Sequence, residues 1–308
     1  MIKFSHVVAV NTPKGRGAER FKQLAEQLTK GRVKVEVYPN STLYKDKEEL
    51  EALQLGSVQM LAPSFAKFGP LGVKEFEVFD IPYMFQDEAF LEHVESGPIG
   101  HRLMSKLEAK GIIGLAFWDN GLKVFSANKP ISSPGDVKGL KMRIQSSRVL
   151  ETQMRALDAI PQVMAFGDVY QGLQTGVVDG TENPWSNMYT QKMHEVQKYA
   201  VDTYHGYAGY AVIVNAKFWS GLPPDIRSAL ESAMQEATRF EHEIAHKDNE
   251  DAMVAIEKSG RTKVVHLSAD QRAAWVKALE PVRSEVAGRV GKDIIDELLK
   301  EQAAAGLH

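Results

Sequence analysis

Two histidines one helical turn apart are the residues whose spacing first suggests chemistry. His242-Glu243-Ile244-Ala245-His246 fits H-E-x-x-H, in which paired imidazoles hold a zinc ion and the glutamate serves as general base for hydrolysis. The apolar residues of the same segment set its orientation. Ile226, Leu230, Ala233, Ala237, Phe240 and Ile244 recur at alternating steps of four and three, so they define a buried helical face. His242 and His246 each lie two residues beyond a member of that stripe, about 200° around the helix, which points both rings toward solvent. A zinc centre needs that face walled in and a third ligand. A zinc hydrolase using His242 and His246 is kept as a remote alternative, and the chain is expected not to be an enzyme.

The other signatures of catalysis or cofactor binding fail on their residues. Gly15-Arg16-Gly17 lacks the third glycine of the dinucleotide fingerprint, and no G-x-x-x-x-G-K-[ST] or G-x-S-x-G run occurs. With no cysteine, thiolate metal sites, disulfides and a thiol nucleophile are excluded. No cofactor and no metal are expected. Lysine and arginine number 37 against 40 acidic residues, a formal net charge of −3, so there is no cationic excess to hold a phosphate backbone and no nucleic acid is expected as partner. Asn40-Ser41-Thr42 is a glycosylation sequon by its letters, which matters only in a eukaryotic secretory pathway.

What remains is anion chemistry at strand ends, where open α/β sheets bind their ligands. Arg143 stands in Gly139-Leu140-Lys141-Met142-Arg143-Ile144, a strand pattern. A guanidinium fixed on a strand offers a carboxylate two parallel hydrogen bonds. On periodicity alone a solvated strand arginine is an equal reading. Lys123 follows Phe117-Trp118-Asp119-Asn120-Gly121, an aromatic and turn-rich crossing point, while Lys14, Lys67 and Asn183 read by pattern as ordinary surface residues.

The elements that must position these groups form a repeat. A strand over 2–10 leads to a helix over 13–29, capped by Thr12 and begun by Pro13, with Ala18, Phe21, Leu24 and Leu28 on one face. A strand over 33–38, a helix over 48–55 and a strand over 58–62 follow. Leu53-Gln54-Leu55-Gly56-Ser57-Val58-Gln59 is then echoed by Leu173-Gln174-Thr175-Gly176-Val177-Val178-Asp179, again after a strand, helix and strand. The echo predicts two βαβαβ lobes of similar build. An apolar strand over 207–215 crosses back, a helix from Pro223-Pro224-Asp225 to about 258 spans both lobes, and an amphipathic helical tail from Ser268 carries Trp275, Leu279, Val282, Val286 and Val290 on its buried stripe. The expected division is 1–122 plus 211–250 for the first lobe and 123–210 plus 251–308 for the second, joined by crossing strands. No window approaches the roughly 18 apolar residues of a membrane span.

Taken together, Lys3-Phe4-Ser5-His6-Val7-Val8, Thr12-Pro13-Lys14-Gly15, Tyr38-Pro39-Asn40-Ser41, Gly139-Leu140-Lys141-Met142-Arg143 and the run from Leu173 through Asp179 to Gly180-Thr181-Glu182-Asn183-Pro184 resemble the solute-binding proteins of tripartite ATP-independent periplasmic (TRAP) transporters. The resemblance covers essentially the whole chain and is nearest to the branch that binds four-carbon dicarboxylates. It implies an α/β, two-lobed periplasmic-binding-protein-like fold, each lobe a mixed sheet flanked by helices, with the long helix spanning both. It implies that Arg143 pairs with the ligand carboxylate, that Asn183 supports the same group and that Phe166 packs on the ligand. Lys123 falls where sialic-acid-binding relatives carry a second arginine, and Ser64 where they carry a glutamate. Without that glutamate, Lys14 and Lys67 suit a second anionic group, with Tyr210, His6 and Tyr44 as further candidates for the wall of the first lobe.

The implied ligand is a small organic acid, foremost succinate, fumarate or malate, with a monocarboxylate or sugar acid as the alternative. The implied partners are the TRAP membrane permease subunits, the implied state a monomer, and the implied compartment the periplasm, with the chain read as a mature form whose Met1 is an added initiator. Closure of the lobes over the ligand is expected, with hinges near Lys123 and Tyr210.

Overall fold

The computed structural model describes residues 1–307, and its first elements start where polar caps stand. β1 (Ile2–Ser5) turns into α1 (Pro13–Leu28), where the Thr12 hydroxyl accepts a hydrogen bond from the Gly15 amide and Pro13 occupies a position that needs no N–H. β2 (Val35–Tyr38), α2 (Glu49–Gln54) and the short β3 (Met60–Leu61) complete a first unit. α3 (Glu88–Ser96) and α4 (Pro98–Ser105) precede the long β4 (Ile112–Ala127). A second unit follows as β5 (Lys141–Ile144), α5 (Arg148–Ala156), β6 (Ile160–Val163), α6 (Val169–Thr175) and β7 (Gly180–Asn183). The chain ends with α7 (Trp185–Thr190), β8 (Tyr199–Asn215), α8 (Ala216–Ser220), α9 (Pro224–Ser259), β9 (Lys263–Val265), α10 (Ala269–Val290) and α11 (Lys292–Ala304).

Both units use one strand order. β1 pairs parallel with β2 and β3, and β3 pairs antiparallel with β8. Likewise β5 pairs parallel with β6 and β7, and β7 pairs antiparallel with β4. The repeat in the sequence is thus a repeat in structure, down to the glycines that end α2 and α6. Gly56 has φ +79° and Gly176 φ +74°, left-handed conformations that a side chain would strain.

β4 and β8 join the two lobes, pairing antiparallel from Ile112 opposite Asn215 to Ala127 opposite Tyr199. Their register slips between Gly114 and Ala116, between Asp119 and Gly121 and between Lys123 and Phe125, bulges that bend the ribbon as it passes from one lobe to the other. α9 runs 36 residues across both lobes. It is tied to α1 by an Arg20–Glu236 ion pair at 2.7 Å, and to α7 by the Ser186 amide, which donates to Asn249 Oδ1 at 3.0 Å. The α10 stripe Trp275, Leu279, Val282, Val286 and Val290 is buried, and the helix lies against α5.

Two expectations need adjusting. β1 stops at Ser5 rather than at residue 10, although the Asn40 amide still donates to the Val8 carbonyl at 2.9 Å, because the chain bends toward α1 and loses regular pairing. The buried row of α9 begins as expected with Ile226, Leu230, Ala233 and Ala237, then continues through Glu241 and Ala245 instead of Phe240 and Ile244. Glu241 turns inward because its carboxylate accepts the Asp119 amide at 3.0 Å, where β4 crosses between the lobes.

Candidate functional site

The cleft between the lobes is lined by charged and polar side chains presented by the ends of strands and the starts of helices. From the first lobe come Lys14 in the first turn of α1, Glu49 at the start of α2, Asp46 just before it, and Ser64 and Lys67 after β3, with Tyr210 on the crossing strand β8. From the second come Arg143 on β5, Gln145 just beyond it, Phe166 after β6 and Asn183 at the end of β7. Asn120 of the crossing strand and Asn187 of α7 close the floor. The lobes leave a cavity of only about 30 Å³ between these side chains, room for a couple of water molecules, so the cleft is nearly closed.

Arg143 is held rather than solvated. It is 1% exposed, its Nε donates to the Met164 carbonyl at 3.0 Å, and its guanidinium lies 5.7 Å from the Phe166 ring centre. Nη2 is buried without a hydrogen-bonding partner. A donor in that condition carries a desolvation cost that an incoming acceptor removes. Burial lowers the guanidinium from its usual range while the charges of Asp46 and Glu182 oppose it, and so strongly basic a group stays charged.

Asp46 bridges the lobes. Its carboxylate takes the Lys67 ammonium from its own lobe and the Phe166 amide, at 3.2 Å, from the other. Burial would raise it, but the charge and hydrogen bond of Lys67, with Arg143 behind them, hold it below the usual carboxylate range. Ser64 and Gln145 hydrogen-bond across the cleft, and Lys45 and Asp168 pair across its rim at 2.9 Å. The lobes are therefore in contact around the site.

Lys14 and Glu49 form the second charged corner. The Lys14 ammonium donates to the Ala62 carbonyl at 3.0 Å and sits 3.7 Å from the centre of the Tyr210 ring. Burial brings Lys14 down to about 8 against the pull of Glu49 and Asp46, and pushes Glu49 up to about 7 against the pull of Lys14. The Tyr210 hydroxyl accepts from Asn120 Nδ2 at 2.7 Å, and Asn120 Oδ1 accepts from the Ser186 hydroxyl at 2.9 Å, so the floor is fixed by its own bonds. Asn183 Nδ2 donates to the Thr181 hydroxyl at 3.1 Å.

Of the residues singled out in the sequence, Arg143, Asn183, Phe166, Lys14, Lys67, Ser64 and Tyr210 meet at this cleft, and Lys123, His6 and Tyr44 do not line it. Lys123 is claimed by Glu182 at 2.8 Å, and the same carboxylate bonds His205 at 2.7 Å and Gln153 at 2.8 Å, a buried network beside the cleft. His6 is buried one residue short of the cleft with both ring nitrogens unpaired, and burial, aided by the charge of Lys14, holds it down to about 3 and neutral. Tyr44 packs against the apolar core.

His242 and His246 do not converge either. His242 is partly buried, not fully turned to solvent as its spacing suggests, and bonds the Phe117 carbonyl at 3.0 Å, while exposed His246 faces Glu250 at 3.2 Å. Among the described residues no group of three or more His, Cys, Asp or Glu side chains is placed to hold a metal.

Sequence reasoning missed Asp46, Glu49, Asn120, Gln145 and Asn187. Only the charged run from Lys45 through Glu49, just ahead of a helix start, carried a local signal for two of them.

Comparison with known proteins places this geometry in context. The family model described as bacterial extracellular solute-binding protein, family 7 (DctP) matches residues 4–289. A C4-dicarboxylate-binding periplasmic protein from Rhodobacter capsulatus is 64% identical over 295 residues, covering 96% of this chain and 89% of that protein. A TRAP periplasmic solute-binding protein from Sulfurospirillum deleyianum, solved with bound succinate, superposes with a TM-score of 0.94 at 45% identity, covering 97% of each chain. A sugar-acid-binding protein from Advenella mimigardefordensis, solved with galactonate, gives a TM-score of 0.95 at 29% identity over 99% of this chain and 98% of that one.

Proposed function

Because the chain belongs to family 7 of the bacterial extracellular solute-binding proteins, binding components of TRAP transporters and not enzymes, we propose that its ligand is a four-carbon dicarboxylate such as succinate, fumarate or malate. The observation that carries this reading is the set of three buried cations, Arg143, Lys14 and Lys67, arranged around one small cleft. Arg143 takes one carboxylate through its free donor edge, steadied by Asn183 and covered by Phe166. Lys14 faces the other from the opposite lobe. Lys67 is engaged by Asp46 and sets the local potential rather than donating freely.

Affinity arithmetic favours such a paired arrangement. A diacid of about nine heavy atoms bound at micromolar strength, about −8 kcal/mol, needs nearly 1 kcal/mol from each atom. That is reached when both carboxylates meet preorganised cations and water is excluded. Residues 1–122 plus 211–250 close over 123–210 plus 251–308, with the β4–β8 ribbon near Lys123 and Tyr210 as the hinge. The closed monomer then delivers its load to the membrane permease from the periplasmic side.

The fold shared with a galactonate-bound protein supports a second reading, a sugar acid whose hydroxyls meet Asn120, Asn187, Ser64 and Gln145. A thermal-shift screen of organic acids separates the two. Succinate, fumarate or malate at 100 times the dissociation constant should stabilise the protein by about 2.7 kcal/mol. Stabilisation by gluconate or lactate with none by the four-carbon diacids would overturn the dicarboxylate assignment.

A further inference from the structure

The charges lining the cleft do not balance a dicarboxylate. Lys14, Lys67 and Arg143 stand against Asp46 and Glu49, so with every group ionised the site carries one net positive charge. A monoanion neutralises it. A dianion leaves one negative charge buried with no counterpart, at a site where the principal side chains are fully or almost fully buried.

Glu49 is the group able to remove that charge. Asp46 is fixed by the Lys67 ammonium and the Phe166 amide, which favour its ionised form. Glu49, 2% exposed at the start of α2, meets only charges: Lys14 from α1, Asp46 from the preceding loop and Lys67 from the turn after β3. Lys14 in turn faces Glu241 from α9, and Arg143 faces Asp46 and Lys67 from β5. His6 also lies against Lys14 but is kept neutral. Within this ring Lys14 and Glu49 are one coupled unit, each already drawn toward neutrality by burial.

We propose that the Lys14–Glu49 pair reads the charge of the ligand: a dicarboxylate dianion enters with one proton from solvent, which stays on the pair, whereas a monoanion of the same shape enters without one. Glu49 is thereby a specificity-determining residue that no hydrogen bond to the ligand would reveal. This rests on the dicarboxylate reading above. It follows that between about pH 7 and 8, where the free pair holds a single proton, affinity for the dianion falls toward tenfold per pH unit and affinity for the monoanion does not.

Isothermal titration calorimetry at about pH 7.5, midway between Glu49 at about 7 and Lys14 at about 8, in two buffers of different ionisation enthalpy, counts the protons directly. The probes are succinate and its monoanionic isostere succinamate. The wild-type protein should take up close to one proton with succinate and none with succinamate. In a variant carrying both Lys14→Met and Glu49→Gln, the succinate count should drop to zero and the preference for succinate over succinamate should shrink at least tenfold. Succinate binding to the wild type with no proton uptake overturns the proposal even if the variant does not fold, and so does a full count retained in a folded variant. If succinate is not bound in either buffer, the dicarboxylate reading itself has failed.

Discussion

Replacing Arg143 with alanine removes a buried cation that keeps one donor with no acceptor in the protein. Its Nε already serves the Met164 carbonyl, and Nη2 is buried with nothing to bond, so the outer edge of the fork is a donor surface awaiting an acceptor. Two charge-assisted hydrogen bonds contribute about 1.5–3 kcal/mol each. Removing one partner of a buried ion pair costs about 3–5 kcal/mol. The two routes overlap at about 3–5 kcal/mol, a loss of roughly 150- to 4,000-fold in affinity at 1.4 kcal/mol per decade. Arg143→Lys should lose at least about tenfold, because one ammonium cannot make two parallel bonds and the Met164 carbonyl is left without its donor. Calorimetric titration with succinate, alongside denaturant unfolding to verify the fold, measures both. An alanine variant that binds succinate within tenfold of the parent would refute the reasoning.

Other consequences are equally open to measurement. Glu182→Gln should destabilise the protein by about 3–5 kcal/mol in urea unfolding, because Lys123 is left buried without its partner. Burial opposes the ionised Glu182, yet Lys123 and His205 hold it far below the carboxylate range, so its contribution is present above about pH 4 and lost as pH falls further. The Gln variant should lack that acid dependence. Asp80 behaves in the opposite sense: burial pushes it up to about 7, so ionising it costs stability as pH rises from about 4 to about 7. Asp80→Asn should be more stable than the parent at pH 8, with the difference vanishing below pH 4. Hinge closure should appear in small-angle X-ray scattering as a smaller radius of gyration on adding succinate, and an unchanged radius would argue against it.

Local pattern carried much of the fold. The glycines after α2 and α6, the Thr12-Pro13 start of α1 and the apolar stripe of α10 are each set by residues close in sequence, so the repeated strand–helix units could be read directly. β8 was seen only from residue 207, because Asp202, Thr203 and His205 interrupt the apolar pattern; Asp202 is held by the Leu267 amide and His205 by Glu182, both far along the chain, and Thr203 bonds His205 itself. The site divided along the same line. Arg143 stood out because a strand arginine beside a family-like motif is legible locally. Lys123 misled because its fate depends on Glu182, 59 residues on. Asp46 and Glu49 looked like surface acids in a charged run, and only the folded chain sets them against Lys67 and Lys14. In α9 the buried row moves from Phe240 and Ile244 to Glu241 and Ala245, because the Asp119 amide on β4 draws Glu241 inward.

A crystal structure of the protein grown with succinate addresses the central claim most directly. One carboxylate should lie in the plane of the Arg143 guanidinium with two parallel bonds of about 2.7–2.9 Å, and the other should face Lys14 across the cleft. Succinate bound with neither carboxylate on Arg143, or seated outside the gap between the lobes, would contradict it.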